Sequence, residues 1–177
     1  MKYNFVCLAF TLLLGSSAFS QNLGLLNDPV FYGAAAQNII YPIGAIQNSV
    51  YGRYYATFEV DTTGKVKNIK VIYPIINQKI SKRLGFEYEI IQGLKKTPHL
   101  RDSDAGRYIL PIAFVYTNYN DGGQPTYPTN LLPSGYTPRD AQMLKEVQIF
   151  AKSNQYRTVR PYSNVAPPSR QVVDAED

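Results

Sequence analysis

Cysteine and histidine each occur once in the 177 residues, and tryptophan does not occur. The single cysteine, Cys7, lies in the leader, residues 1–20. If that leader is removed, no disulfide, thiolate metal site or cysteine nucleophile is available. The lone histidine, His99, follows Pro98 and has Asp102 and Asp104 close in sequence. A hydrolase triad needs a nucleophile held against the imidazole, and no nucleophile-elbow motif occurs, so His99 reads as a solvated loop residue and no catalytic residue is assigned. No apolar run reaches the roughly 20 residues that a membrane helix needs. Excess charge is small: the formal net charge is +5, too little to indicate nucleic-acid binding.

The leader has the form of an export signal. Lys2 gives a positive start, Phe5 to Leu14 a short apolar run, and Ala18-Phe19-Ser20 small residues where a signal peptidase reads. An uncleaved anchor is the competing reading. Cys7 sits inside the run without a lipobox-like setting, so a lipoprotein is not expected. Cleavage removes only Lys2 from the 18 basic side chains and none of the 13 acidic ones. The remaining stretch, Gln21 to Asp177, is enough for one domain and an extension. The expected location is the periplasm or cell envelope, with no stable membrane span after cleavage. Residues 21–37 read as an N-terminal segment, interrupted at Asp28-Pro29, and the domain is placed at 38–120.

Val50 to Val60 alternates, with Tyr54, Ala56, Phe58 and Val60 on one face, as a half-buried strand does. Asp61-Thr62-Thr63-Gly64 is a turn, with Gly64 free to take positive φ. Lys65 to Tyr73 completes a hairpin. From Asn77 to Lys96, the residues Ile80, Leu84, Tyr88, Ile91 and Leu94 form a helical stripe, weakened by Gly85 and Gly93, with a break near Gly85 as the alternative, and ended by Pro98. Arg107 to Tyr116 is a third strand, and Pro111 places it at an edge because proline cannot donate to a ladder. The expected fold is α+β: a three-stranded antiparallel sheet (β-β-α-β, order 2-1-3) with a helix on one face. Seven of the twelve prolines lie in 121–177. That Pro/Tyr-rich extension is expected to hold one helix, about 138–153, capped by Thr137 and Pro138.

Other candidates carry little chemistry. Asp61 with Thr62 and Thr63 lacks the repeated acidic ligands of a calcium loop, and no metal site is assigned. Gly122-Gly123 precedes a proline-rich stretch, not a helix, so no phosphate loop or cofactor site is expected. Lys65, Lys67, Lys70, Lys79, Lys82 and Arg83 read as solubilising charge beside exposed edges, with an anionic binding face as the alternative.

Several pieces, in order from Tyr41 to Phe114, carry a resemblance. They are Tyr41-Pro42, Gly52, Phe58-Glu59-Val60-Asp61, Gly64-Lys65-Val66 and Asn68-Ile69-Lys70-Val71, then Leu94 with Pro98, and Leu110-Pro111-Ile112-Ala113-Phe114. Together they resemble the C-terminal domain of TonB, the energy transducer of Gram-negative envelopes, in the stand-alone secreted form of the Bacteroidetes type. The resemblance implies a non-catalytic protein-binding module whose last strand accepts an extended segment by strand addition. The implied protein-binding residues are Arg107, Tyr108, Ile109, Pro111, Ala113 and Val115, and the implied partner is an outer-membrane transporter or an envelope complex. The same edge admits a homo-oligomer. A structural component of an envelope assembly is the alternative. A transducing member carries a membrane helix and a long spacer before its domain. Here only the segment 21–37 separates a cleavable leader from the domain, so coupling to an inner-membrane motor is not expected.

Overall fold

The computed structural model describes residues 24–154 and 170–172; the expected leader, residues 1–20, lies outside them. Among the described residues are four α-helices: α1 (Pro29–Asn38), α2 (Ile43–Gln47), α3 (Gln78–Leu84) and α4 (Phe86–Lys95). Seven strands join one sheet: β1 (Val50–Val60), β2 (Val66–Tyr73), β3 (Gly106–Asn118), β4 (Pro125–Thr126), β5 (Ala141–Met143), β6 (Val147–Ser153) and β7 (Arg170–Gln171). The class is α+β, but the expected three-stranded antiparallel sheet is corrected to a seven-stranded mixed one. Its antiparallel part runs β2-β1-β3-β4. Strands β5 and β6 pair with β3 in parallel, and β7 pairs with β1 in parallel.

Local chemistry accounts for the helix ends. Asp28 caps α1 by accepting from the Val30 and Phe31 amides at 2.8 and 3.2 Å, and Pro29 takes the first turn, where no donor is needed. The expected helix over 77–96 is two helices. Gly85 adopts φ 84° between them, which ends one helix and starts the next. The break rephases the stripe. Leu84, Phe86, Ile90 and Leu94 are buried, whereas Ile80 and Tyr88 are exposed.

One core lies between the helices and the sheet. Phe58, Tyr54, Phe114 and Tyr116 on the sheet meet Phe31, Phe86, Ile90 and Leu94 on the helices. The Tyr54 and Phe86 rings lie 4.7 Å apart and those of Phe86 and Phe114 4.6 Å apart, within the spacing at which aromatic pairs attract. Residues on both sides of the hairpin–helix–strand unit share this core: Leu25, Phe31 and Ala35 before it, and Leu144, Val147, Ile149 and Ala151 after it.

The expected helix at about 138–153 is a second correction. Over that range the chain forms β5 and β6, and β6 alternates strictly. Val147, Ile149, Ala151 and Ser153 are buried, while Gln148, Phe150 and Lys152 are exposed. Period two is the signature of a strand with one buried face.

Candidate functional site

The candidate site is an edge of the sheet, and its identity depends on which strand is outermost. Strand β3 is not. It pairs with β1 from Gly52↔Phe114 to Val60↔Gly106. Its other side is taken by β5 opposite Arg107–Ile109 and by β6 opposite Ile112–Asn118. The expectation that Pro111 marks an open edge is thereby corrected.

The reason Pro111 is tolerated inside the sheet can be read from the register. The Leu144 amide donates to the Ile109 carbonyl at 2.8 Å. Ile109 therefore turns its backbone groups toward β5, and so, two positions on, does Pro111. Opposite Pro111 the added strands gain a residue. Ile109 faces Met143 but Ile112 faces Val147, so three steps on β3 match four on the other side. Such a bulge leaves the ladder unpaired, and the missing donor of Pro111 falls there.

Of the six expected binding residues, five are buried. Ile109, Ala113 and Val115 have no exposed surface, and Pro111 and Tyr108 are also buried. Ile109 packs with Tyr55 and Tyr73 on the sheet face opposite the helices. The Tyr108 hydroxyl donates to the Asp104 carbonyl at 2.8 Å, and burial pushes its pKa up, with Asp104 adding to the effect. Only Arg107 remains exposed. Its guanidinium donates to Glu59 at 2.8 Å and to Asp140 at 2.8 Å. These carboxylates raise its pKa, and the Glu59 carboxyl is lowered by its hydrogen bonds to Asn68 and then Arg107. An open cleft of about 450 Å³ lies beside this cluster, lined by Thr57, Glu59, Asn68, Lys70, Arg107 and Pro138.

Among the described residues, a regular open edge belongs to β6. Continuing the parity of β3, Ala113, Val115 and Thr117 face β6, which turns the backbone groups of Val147, Ile149 and Ala151 inward. Those of Gln148, Phe150 and Lys152 point outward. Among the described residues, no backbone group bonds to these outward ones. The side chains of the same three residues lie exposed on the sheet face away from the helices, with Phe150 54% exposed. Glu146 joins their row: its carboxylate accepts from Arg53 Nε at 2.5 Å and from Gln148 Nε2 at 3.4 Å.

The opposite edge, β2, is blunted. Its register against β1 shifts twice, between Tyr55/Ala56 and between Thr57/Glu59, and Asn68 takes φ 53°. Lys67 and Lys70 are exposed along it. Bulges and lysines are devices that stop a strand edge from pairing. Strand β6 has no such irregularity in its register with β3.

Sequence reasoning missed Gln148, Phe150 and Lys152. Their signal was the alternation of Val147-Gln148-Ile149-Phe150-Ala151-Lys152-Ser153, which competes with a helical spacing of Leu144, Val147 and Ala151. Among the described residues, no group of three or more metal-ligating side chains is close enough to hold an ion. No helix there is long and apolar enough to cross a membrane.

No family model, curated protein or solved structure matches the chain.

Proposed function

We propose that the protein is a non-catalytic binding module of the periplasm or cell envelope that takes up an extended protein segment by strand addition at the outer edge of β6. The observation that carries this reading is the row of outward backbone groups on Gln148, Phe150 and Lys152, unpaired among the described residues. An added strand gains main-chain hydrogen bonds there, and side chains at alternate positions give selectivity. The contrast with the bulged, lysine-bearing β2 supports the choice of edge.

The order of sequence pieces from Tyr41 to Phe114 supports a TonB-like relationship and, with it, a transporter or an envelope complex as partner. Between these, the occupied edge of β3 favours an envelope assembly. The strand to which the resemblance assigns the transporter segment already holds β5 and β6. On this reading the leader is cleaved and the mature chain is exported.

A photo-crosslinking residue in place of Lys152, introduced in the producing cell, tests the edge. The expected result is a protein adduct whose crosslinked peptide maps to an extended segment, lost when Phe150→Pro removes an outward donor. Adducts that persist in a folded Phe150→Pro protein, or that arise from Lys70 on β2 instead, overturn the reading.

A further inference from the structure

We infer that the segment added at β6 is β6 of a second copy, paired antiparallel across a two-fold axis at Ile149. The inference rests on the strand-addition reading and names the occupant of that edge.

Self-complementarity carries it. On the face away from the helices the row reads Glu146, half-buried and one residue before the strand, then the exposed Gln148, Phe150 and Lys152: acid, amide, aromatic, base. A two-fold axis sets each residue against its counterpart in reverse order. With the axis at Ile149, Glu146 faces Lys152 of the second copy, and Gln148 faces Phe150. By symmetry each pair occurs twice. Directly opposed side chains on one face are close enough to interact, and opposite charges there stabilise the pair.

The backbone agrees with the same register. An antiparallel ladder exchanges two hydrogen bonds wherever both opposed residues point outward. Gln148 and Phe150 both do, and this register opposes one to the other. A shift by one position would set outward groups against inward ones and break the ladder. The charges agree too. Lys152 makes no ion pair among the described residues, whereas Glu146 holds Arg53 through one oxygen and has only a 3.4 Å contact at the other. Phe150, otherwise half in solvent, gains the aliphatic stem of Gln148 as cover. The resulting sheet runs continuously through both copies.

The test uses the full exported chain in sedimentation equilibrium, with far-UV circular dichroism to verify folding. The wild type is expected to double its mass with concentration. Lys152→Glu and Glu146→Lys should each set like charges against one another and raise the dissociation constant about tenfold or more. In a mixed dimer of these two variants, one copy carries acids and the other bases at both positions. Every facing pair is then opposite in charge, so the mixture should regain the dimer. Phe150→Pro should remove it. A wild type that stays monomeric, a dimer indifferent to these substitutions, or a mixture that does not reassociate overturns the inference. A dimer indifferent to Phe150→Pro overturns the inference alone, a monomer that still yields Phe150→Pro-sensitive adducts to another protein leaves strand addition standing, and adducts that persist in a folded Phe150→Pro protein remove both.

Discussion

The backbone N–H of Arg53 donates to Asn130 Oδ1 at 2.9 Å, and Asn130 Nδ2 donates back to the Arg53 carbonyl at 2.8 Å. A single side chain thus does what a neighbouring strand would do. On this side of β1, Tyr51 is paired with β7 and Tyr55 with β2. Arg53 lies in the gap between them, and the amide of Asn130 closes the ladder. The Asn130 carbonyl also accepts from the Arg53 guanidinium at 2.7 Å, which locks the 127–133 segment onto the sheet.

Asn130→Ala removes both ladder bonds and leaves a strand donor and acceptor without partners. The expected cost is about 1–3 kcal/mol, read as a lower denaturant midpoint at unchanged slope. An unaltered midpoint would show that water replaces the amide fully.

Gly64 and Gly33 should respond to alanine with opposite sign. Gly64 has φ 74°, and a Cβ there would lie 1.9 Å from the Leu100 carbonyl oxygen. The Leu100 amide donates to the Gly64 carbonyl at 2.8 Å, so the clash cannot relax without losing that bond. The positive φ alone costs about 1–3 kcal/mol for other residues, and Gly64→Ala should exceed it. Gly33, in the exposed middle of α1, has nothing within 4 Å of its Cβ position. Gly33→Ala should stabilise by up to about 1 kcal/mol through helix propensity. Thermal unfolding of the two variants checks both signs.

The break at Gly85 decides which face of α4 is buried. Ile90 is fully buried and Ile91 only partly so. Ile90→Ala should cost about 2–5 kcal/mol and Ile91→Ala clearly less. Phe58→Ala, which empties a fully buried site next to Phe31 and Tyr108, should cost about 3–5 kcal/mol. Equal losses at 90 and 91 in chemical denaturation would refute the rephasing.

Acid should weaken the hairpin between β1 and β2. Asp61 Oδ1 accepts from the Thr63 hydroxyl, the Lys65 amide and the Thr63 amide at 2.6, 3.0 and 2.9 Å. The Thr63 hydroxyl, then the Lys65 amide, hold its carboxyl below the ordinary 3.8. Glu59, held by Asn68 and Arg107, lies below the ordinary 4.5. A lowered folded-state pKa means that the unfolded chain binds more protons, so stability rises with pH through this range. The contribution is complete above about pH 4.5 and is lost as pH falls below it. Asp61→Asn should flatten the acid limb of a stability–pH curve, and an identical limb in the variant would exclude Asp61.

On the proposed reading, N-terminal sequencing of the protein isolated from the producing cell should begin at Gln21, because Ala18-Phe19-Ser20 offers the small residues that signal peptidase reads. A retained Met1 would instead support a membrane anchor.

Strands that pair with near neighbours in the chain were legible from their residues. Val50–Val60 alternates apolar and polar side chains, Gly64 supplies the turn, and the Tyr54–Phe58 face needs no distant information to be recognised as buried. The third strand was legible as a strand, but its place in the sheet was not. Pro111 argued for an edge, whereas a bulge between Met143 and Val147, on a distant stretch of the chain, absorbs the missing donor.

What the residues alone determined is therefore local: strands β1, β2 and β3, the glycine turn, and a helical stretch with a weak point at Gly85. What only the tertiary structure decided is which surface is left open. Residues 141–153 carry a spacing that suits a helix and an alternation that suits a strand. Strand preference is set mostly by packing against cross-strand neighbours, and those neighbours, Ile112 to Asn118, become available only when the sheet forms. Once β5 and β6 dock there, the expected binding edge is buried, and the outward groups of Gln148, Phe150 and Lys152 become the sheet's regular open margin among the described residues. A ladder edge is a property of strand order, so no window of sequence contains it.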